Sequence, residues 1–186
     1  MSEGEFEAID WRLFEENVSE LLSEEWMLVT PGVPGRWNTM TASWGGFGHI
    51  WNMDVAFVVV RPSRHTYGFM ERETGFTLSF LGEGGRKALN ICGARSGRDT
   101  DKAKAAGITP RAFPARGGPA HSGGASVGAS ERVGFEEARL VLSCRKVFAQ
   151  DLDPGSFADP AILTLHYAKG DLHRLYVGAI EGAWKR

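Results

Sequence analysis

Apolar residues recur along the chain with two different periods. From Asp10, the residues Leu13, Phe14, Val18, Leu21 and Leu22 fall at helical spacing with Glu15, Glu16, Glu20, Glu24 and Glu25 between them, which predicts an amphipathic packing helix. Residues 26–32, WMLVTPG, predict a strand stopped by Pro31 and Gly32. Thr39, Thr41 and Ser43 then alternate with Met40, Ala42 and Trp44, the period of a strand with one hydroxyl-bearing face. Residues 54–60, DVAFVVV, are dense in β-branched side chains and read as a strand buried on both faces. A helix is predicted from near Ser63 to a stop at Gly75, then a strand at 76–81 and a loop and helix over 82–97.

The second half begins with a short helix over 98–107, capped by Asp99 or Thr100 and closed by Gly107. From Thr109 to Gly134 glycine, proline, alanine and serine dominate, and large apolar groups are scarce. Such a composition buries too little surface to offset its ordering entropy, so a flexible insertion is expected over 111–134. Residues 138–150 predict a long strand, 151–160 a turn region, and 161–185 a hairpin turning at Lys169, Gly170 and Asp171. About six strands without regular βαβ alternation point to a mainly β, mostly antiparallel barrel with helices at its margins. At 186 residues the simplest organisation is one domain over 1–186.

The formal net charge of −2 offers no global attraction to nucleic acid or to an anionic membrane, so neither partner is expected. Any anion site must come from local clusters. Cys92 and Cys144 form no C-x-x-C pattern and support no disulfide framework. The N-terminus is acidic where a signal peptide needs a basic start, and no run approaches the ~18 apolar residues of a membrane span, so a cytoplasmic location is expected.

One cluster stands directly behind the apolar strand: residues 61–66 read RPSRHT. Arg61 and Arg64 can offer forked donors to an anion, Ser63 and Thr66 add hydroxyls, and the start of the following helix adds free amides. Residues 96–102, SGRDTDK, present Ser96, the amide of Gly97, Arg98 and Lys102 at a second helix start. The hydroxyl strand with Asn38 and Trp44 suits a flat heteroaromatic ring, although a threonine-rich, solvent-facing strand has the same pattern. No phosphate-binding G-x-x-x-x-G-K-[ST] loop and no G-x-G-x-x-G occurs. The five histidines lack zinc-type spacing, so no metal is expected, and a G-x-S-x-G nucleophile is absent.

Four ordered blocks now carry a resemblance: residues 37–81, 94–110, 135–154 and 169–182. Together they resemble the flavin reductase-like family of FMN-binding split barrels, and within it the flavoredoxin-like branch. The resemblance runs from about Trp26 to Gly182 and lapses mainly across Arg111 to Gly134. It implies a Greek-key split barrel and a homodimer with one FMN per protomer near the subunit interface. By position, Asn38, Thr39, Met40, Thr41, Ala42, Ser43 and Trp44 are similar to the segment that lies along the isoalloxazine ring. The resemblance assigns Arg61, Ser63, Arg64 and Thr66 to the ribityl phosphate, and Ser96, Gly97 and Lys102 to a loop closing over it. It places His173 on the nicotinamide side.

Two functions follow from the resemblance. The first is an oxidoreductase that uses NAD(P)H to reduce flavin or another small acceptor. The alternative is a flavoredoxin-like electron carrier that holds FMN and serves a protein partner. No side-chain acid or base is obligatory in either, so binding residues are expected and no catalytic one.

Overall fold

The structure is a computed structural model and describes residues 5–115 and 131–186. Its main sheet follows the order β3 (Arg36–Trp37), β2 (Met27–Val33), β7 (Gly75–Phe80), β10 (Leu140–Asp151), β11 (Arg174–Lys185), β6 (Met53–Val60) and β5 (Gly45–Ile50). Two short strands extend it, β1 (Glu7–Ile9) on β11 and β4 (Met40–Ala42) on β2, and every pairing is antiparallel. Long-range pairing of β2 with β7 and of β7 with β10 curls the sheet into a split barrel. The mainly β class expected from the sequence is what the chain adopts.

Neighbouring residues of the central strands face two different cores. Met27 and Val29 join Phe76, Leu78, Leu140 and Leu142 inside the barrel. Leu28 and Val141 point the other way, into a second cluster with Leu89 and Cys92 of α3 (Arg86–Ala94) and Ala103 of α4 (Lys102–Ala106). Burial on both faces explains why these strands are nearly continuous apolar runs. β6 departs from the expectation for it. Ala56, Val58 and Val60 are fully buried, but Phe57 is 38% exposed and Val59 lines a cleft, because among the described residues no helix packs extensively against that face.

Four other expectations are corrected. The helix expected from Asp10 is broken into a single turn at Trp11–Leu13, α1 (Val18–Glu20) and a wider turn over Leu21–Glu25. Asn17 supplies a new cap, its side chain accepting from Ser19 N and Glu20 N. The helix near Ser63 is α2 (His65–Arg72), and α4 is capped by Asp101 and not by Asp99 or Thr100, while Gly107 closes it in the left-handed conformation. The segment after Thr109 is ordered at both ends. β8 (Pro110–Pro114) pairs with β9 (Glu131–Phe135), anchored by Phe113 and Phe135 in the second core. Residues 116–130, and with them the expected flexibility, lie outside the described residues.

The largest correction concerns 161–185. No hairpin forms there: residues Ala161–Tyr167 are a helix, α5, and only β11 is a strand. A short apolar run such as AILTL fits either structure by periodicity. The deciding signals are local. Asp159 accepts from Ala161 N at 2.9 Å and Pro160 pre-sets the first turn. Among the described residues, no helix is long and apolar enough to cross a membrane.

Candidate functional site

β6 ends on the fully buried Val60 and delivers residues 61–66 from a fixed support. Arg64 N donates to Arg61 O at 3.0 Å, closing a turn, and α2 starts at His65 with no side-chain cap. Uncapped amides at a helix start favour an anion. Thr66 is buried and its Oγ1 accepts from Asn38 Nδ2 at 2.7 Å. Gly97 packs so closely on Asn38 Oδ1 and the His65 ring that a Cβ there would collide with the amide oxygen. The two anion-friendly loops read from the sequence, 61–66 and 96–102, therefore meet around Asn38.

The cations of these loops differ in what they already hold. Arg61 donates to Asp171 O at 2.9 Å and to His166 O at 3.0 Å, with its guanidinium 5.1 Å from the Tyr167 ring centre. Ser63 gives both donors to the Asp171 carboxylate, its amide at 3.2 Å and its hydroxyl at 2.6 Å. Arg64 is exposed and spends one nitrogen on Gly93 O at 2.9 Å, so most of its fork is free. Ser96 Oγ accepts from Arg98 N. Lys102 is only 7% exposed, and its ammonium donates to Thr39 O at 2.6 Å and Cys92 O at 2.8 Å.

The alternating hydroxyls of residues 39–43 are likewise largely spent inside. Thr39 Oγ1 shares a hydrogen bond with Thr30 Oγ1 at 2.8 Å, and Thr41 Oγ1 donates to Leu89 O at 2.5 Å. The Met40–Trp44 segment still borders a cleft of about 190 Å³, closed by Val59, Arg61, Arg64 and His173. Trp44 is 43% exposed and stands between two histidines, His166 at 5.1 Å and His173 at 5.2 Å.

The local field is positive despite the chain's net charge of −2. Burial and then Arg98 and Lys102 push the His65 pKa down, and burial with Arg64 does the same to Lys102. The broader groove of about 690 Å³ is lined by Glu16, Glu20, Glu24, Glu25 and Glu83 against Arg86 and Arg139, and Arg139 is already paired with Glu16 and Glu25, so its lining is net negative.

His173 is buried and its Nδ1 shares a 2.8 Å hydrogen bond with Tyr167 Oη. Burial first, and Arg61 second, push its pKa down to about 4. The sign of the consequence is fixed: the unfolded chain takes up this proton below about 6.5, the folded protein only near 4. Stability from neutral His173 is complete above about pH 6.5 and is lost as pH falls towards 4. In thermal melts, His173→Gln is expected to flatten the decline between those pH values by a few °C. An unchanged decline would mean that His173 is not held neutral.

Sequence reasoning did not single out Tyr167, Asp171 or the Gly93 carbonyl. Asp171 and Gly170 both have positive φ, 58° and 75°, and the KGD string was their one visible signal. Among the described residues, no group of three His, Cys, Asp or Glu side chains could hold a metal.

Comparison with known proteins closes the question of kinship. The family model described as flavin reductase like domain matches residues 21–186. Similar solved structures include an FMN-binding domain of a flavin reductases-like enzyme from Shewanella baltica, with TM-score 0.60 and 17% identity over 97% of this chain and 77% of that one. Flavoredoxin from Methanosarcina acetivorans gives TM-score 0.61 and 19% identity over 98% and 76%. An FMN-binding protein from Thermus thermophilus with bound 1-cyclohex-2-enone gives 0.56 and 20% over 95% and 74%. No curated protein sequence matches the chain. At these identities the structural neighbours speak for the split-barrel fold, and the family match extends over nearly the whole chain: it belongs to the flavin reductase-like family of FMN-binding split barrels.

Proposed function

We propose that this protein binds FMN in the cleft beside α2 and is an oxidoreductase that takes electrons from NAD(P)H for flavin or another small acceptor. The observation that carries the reading is the convergence of the Met40–Trp44 segment, Arg64 and His173 on one cleft beside an uncapped helix start. The donor set fits a flat ring bearing a phosphate. Arg64, the first amides of α2 and the Ser96–Gly97 loop would receive the phosphate, and the backbone of residues 40–44 would run along the ring edge. Gly97 supports this arrangement because any side chain there would push the loop away from Asn38.

Bound FMN supplies hydride acceptance and one-electron transfer. The chain's own residues would position, insulate and tune. Val59 and Trp44 give an apolar wall, and His173 stands in the cleft as an uncharged imidazole fixed by Tyr167. Thr39, Thr41 and Lys102 act from behind, holding the 38–42 segment against β2 and α3. The cleft's volume falls below the roughly 300–1,000 Å³ of small-molecule sites. A second protomer across the ring would complete it, in keeping with the exposed Trp44, and a structure of the FMN complex checks this.

Anaerobic mixing with NADPH or NADH tests the activity. Flavin bands of the reconstituted protein are expected to bleach within seconds. Bands that persist until dithionite is added would overturn the nicotinamide-dependent reading and favour an electron carrier with a protein partner. Absence of bound flavin would sink both.

A further inference from the structure

We propose that Asp171 is a specificity-determining residue: its carboxylate competes with the flavin phosphate for the donors of the 61–66 turn and so limits the preference for FMN over riboflavin. The inference rests on the FMN reading above. Ser63 presents an amide and a hydroxyl side by side, and one carboxylate receives both, at 3.2 and 2.6 Å. A phosphate would use that donor pair in the same way, since both anions accept charge-assisted bonds from N–H and O–H groups. The carboxylate is held in place from its own backbone. Arg61 grips the Asp171 carbonyl, and left-handed turns at Gly170 and Asp171 fold the side chain back onto Ser63.

Charge makes the competition matter. Arg61, Arg64 and the uncapped start of α2 favour an anion, and Asp171 is the carboxylate that opposes them beside Ser63. At His173 the same opposition is visible, with Arg61 and Arg64 acting against the proton and Asp171 acting for it. A phosphate that reached the Ser63 donors would meet the Asp171 carboxylate there and be repelled by it. Riboflavin has no phosphate and is indifferent.

The test is fluorescence titration of FMN and of riboflavin against the wild type, Asp171→Asn and Asp171→Ala. Asparagine keeps an oxygen for Ser63 while removing the charge, so the turn is preserved. FMN is expected to bind Asp171→Asn about three- to tenfold more tightly, with riboflavin unchanged and the gain shrinking at high salt. Asp171→Ala is expected to shift FMN affinity in the same direction. Equal or weaker FMN binding by Asp171→Asn, with the wild type still binding FMN, would overturn the competition alone and make Asp171 a positioning group for the loop. A wild type that binds neither flavin overturns the FMN reading and this inference with it.

Discussion

Arg64→Ala is expected to weaken FMN binding by about ten- to a hundredfold while changing riboflavin binding far less. A charge-assisted contact to a phosphate is worth ~1.5–3 kcal/mol, which converts to that range of affinity. The asymmetry between ligands is the diagnostic part. Arg64 also anchors the end of α3 through Gly93 O, and loss of that anchor would act on both ligands alike. Arg64→Lys separates the two roles: an ammonium keeps the charge but cannot reach the carbonyl and the phosphate together as a fork does. Intermediate FMN affinity is expected for it. Equal loss for FMN and riboflavin in Arg64→Ala would remove Arg64 from the phosphate.

Lys102→Met is expected to cost about 3 kcal/mol of stability, because two carbonyls inside the protein lose their donor. For a chain of this size that corresponds to roughly 6–12 °C in Tm. The lysine carries its charge into a nearly closed space, where its ammonium ties Thr39 to Cys92 and thereby the cleft-lining segment to α3. Burial lowers its pKa for the same reason. Methionine has similar length and no polar atom able to serve those carbonyls, so little is recovered by repacking. The melt is run without flavin. If Lys102 instead worked chiefly on the phosphate, flavin-free stability would be untouched and only FMN affinity would fall.

Much of the fold was legible because the strands carry their own pattern. In β2 and in the first half of β10, residues 140–144, both faces are buried, and a largely apolar run follows from that. What failed was decided by neighbours beyond the window. β6 reads from sequence as a strand buried on both faces, yet Phe57 is 38% exposed and Val59 lines the cleft, because among the described residues no helix packs extensively against that face. α5 looked like a strand because five apolar-rich residues do not distinguish the two periods, and the Asp159 cap was the better guide. β8 and β9 are each anchored by a phenylalanine that average composition concealed.

The site divides in the same way. Residues 61–66 follow an apolar strand and lead into a helix, so a rigid cluster of donors was readable from order alone. Which donors are free was not. Ser63 meets Asp171 across 108 residues of sequence, and Lys102 turns inward to Thr39 across 63. Alternation of Thr39 and Thr41 showed a polar face, but only the packing of α3 and β2 shows that the hydroxyls are consumed there.

FMN is expected in the cleft with its phosphate at the start of α2. A crystal structure of the FMN-loaded protein tests it most directly. Phosphate oxygens are expected within hydrogen-bond distance of Arg64 and the first α2 amides, with the ring along residues 40–44 and a second protomer across it. A flavin whose phosphate lies away from Arg64 and the 96–97 loop would contradict it.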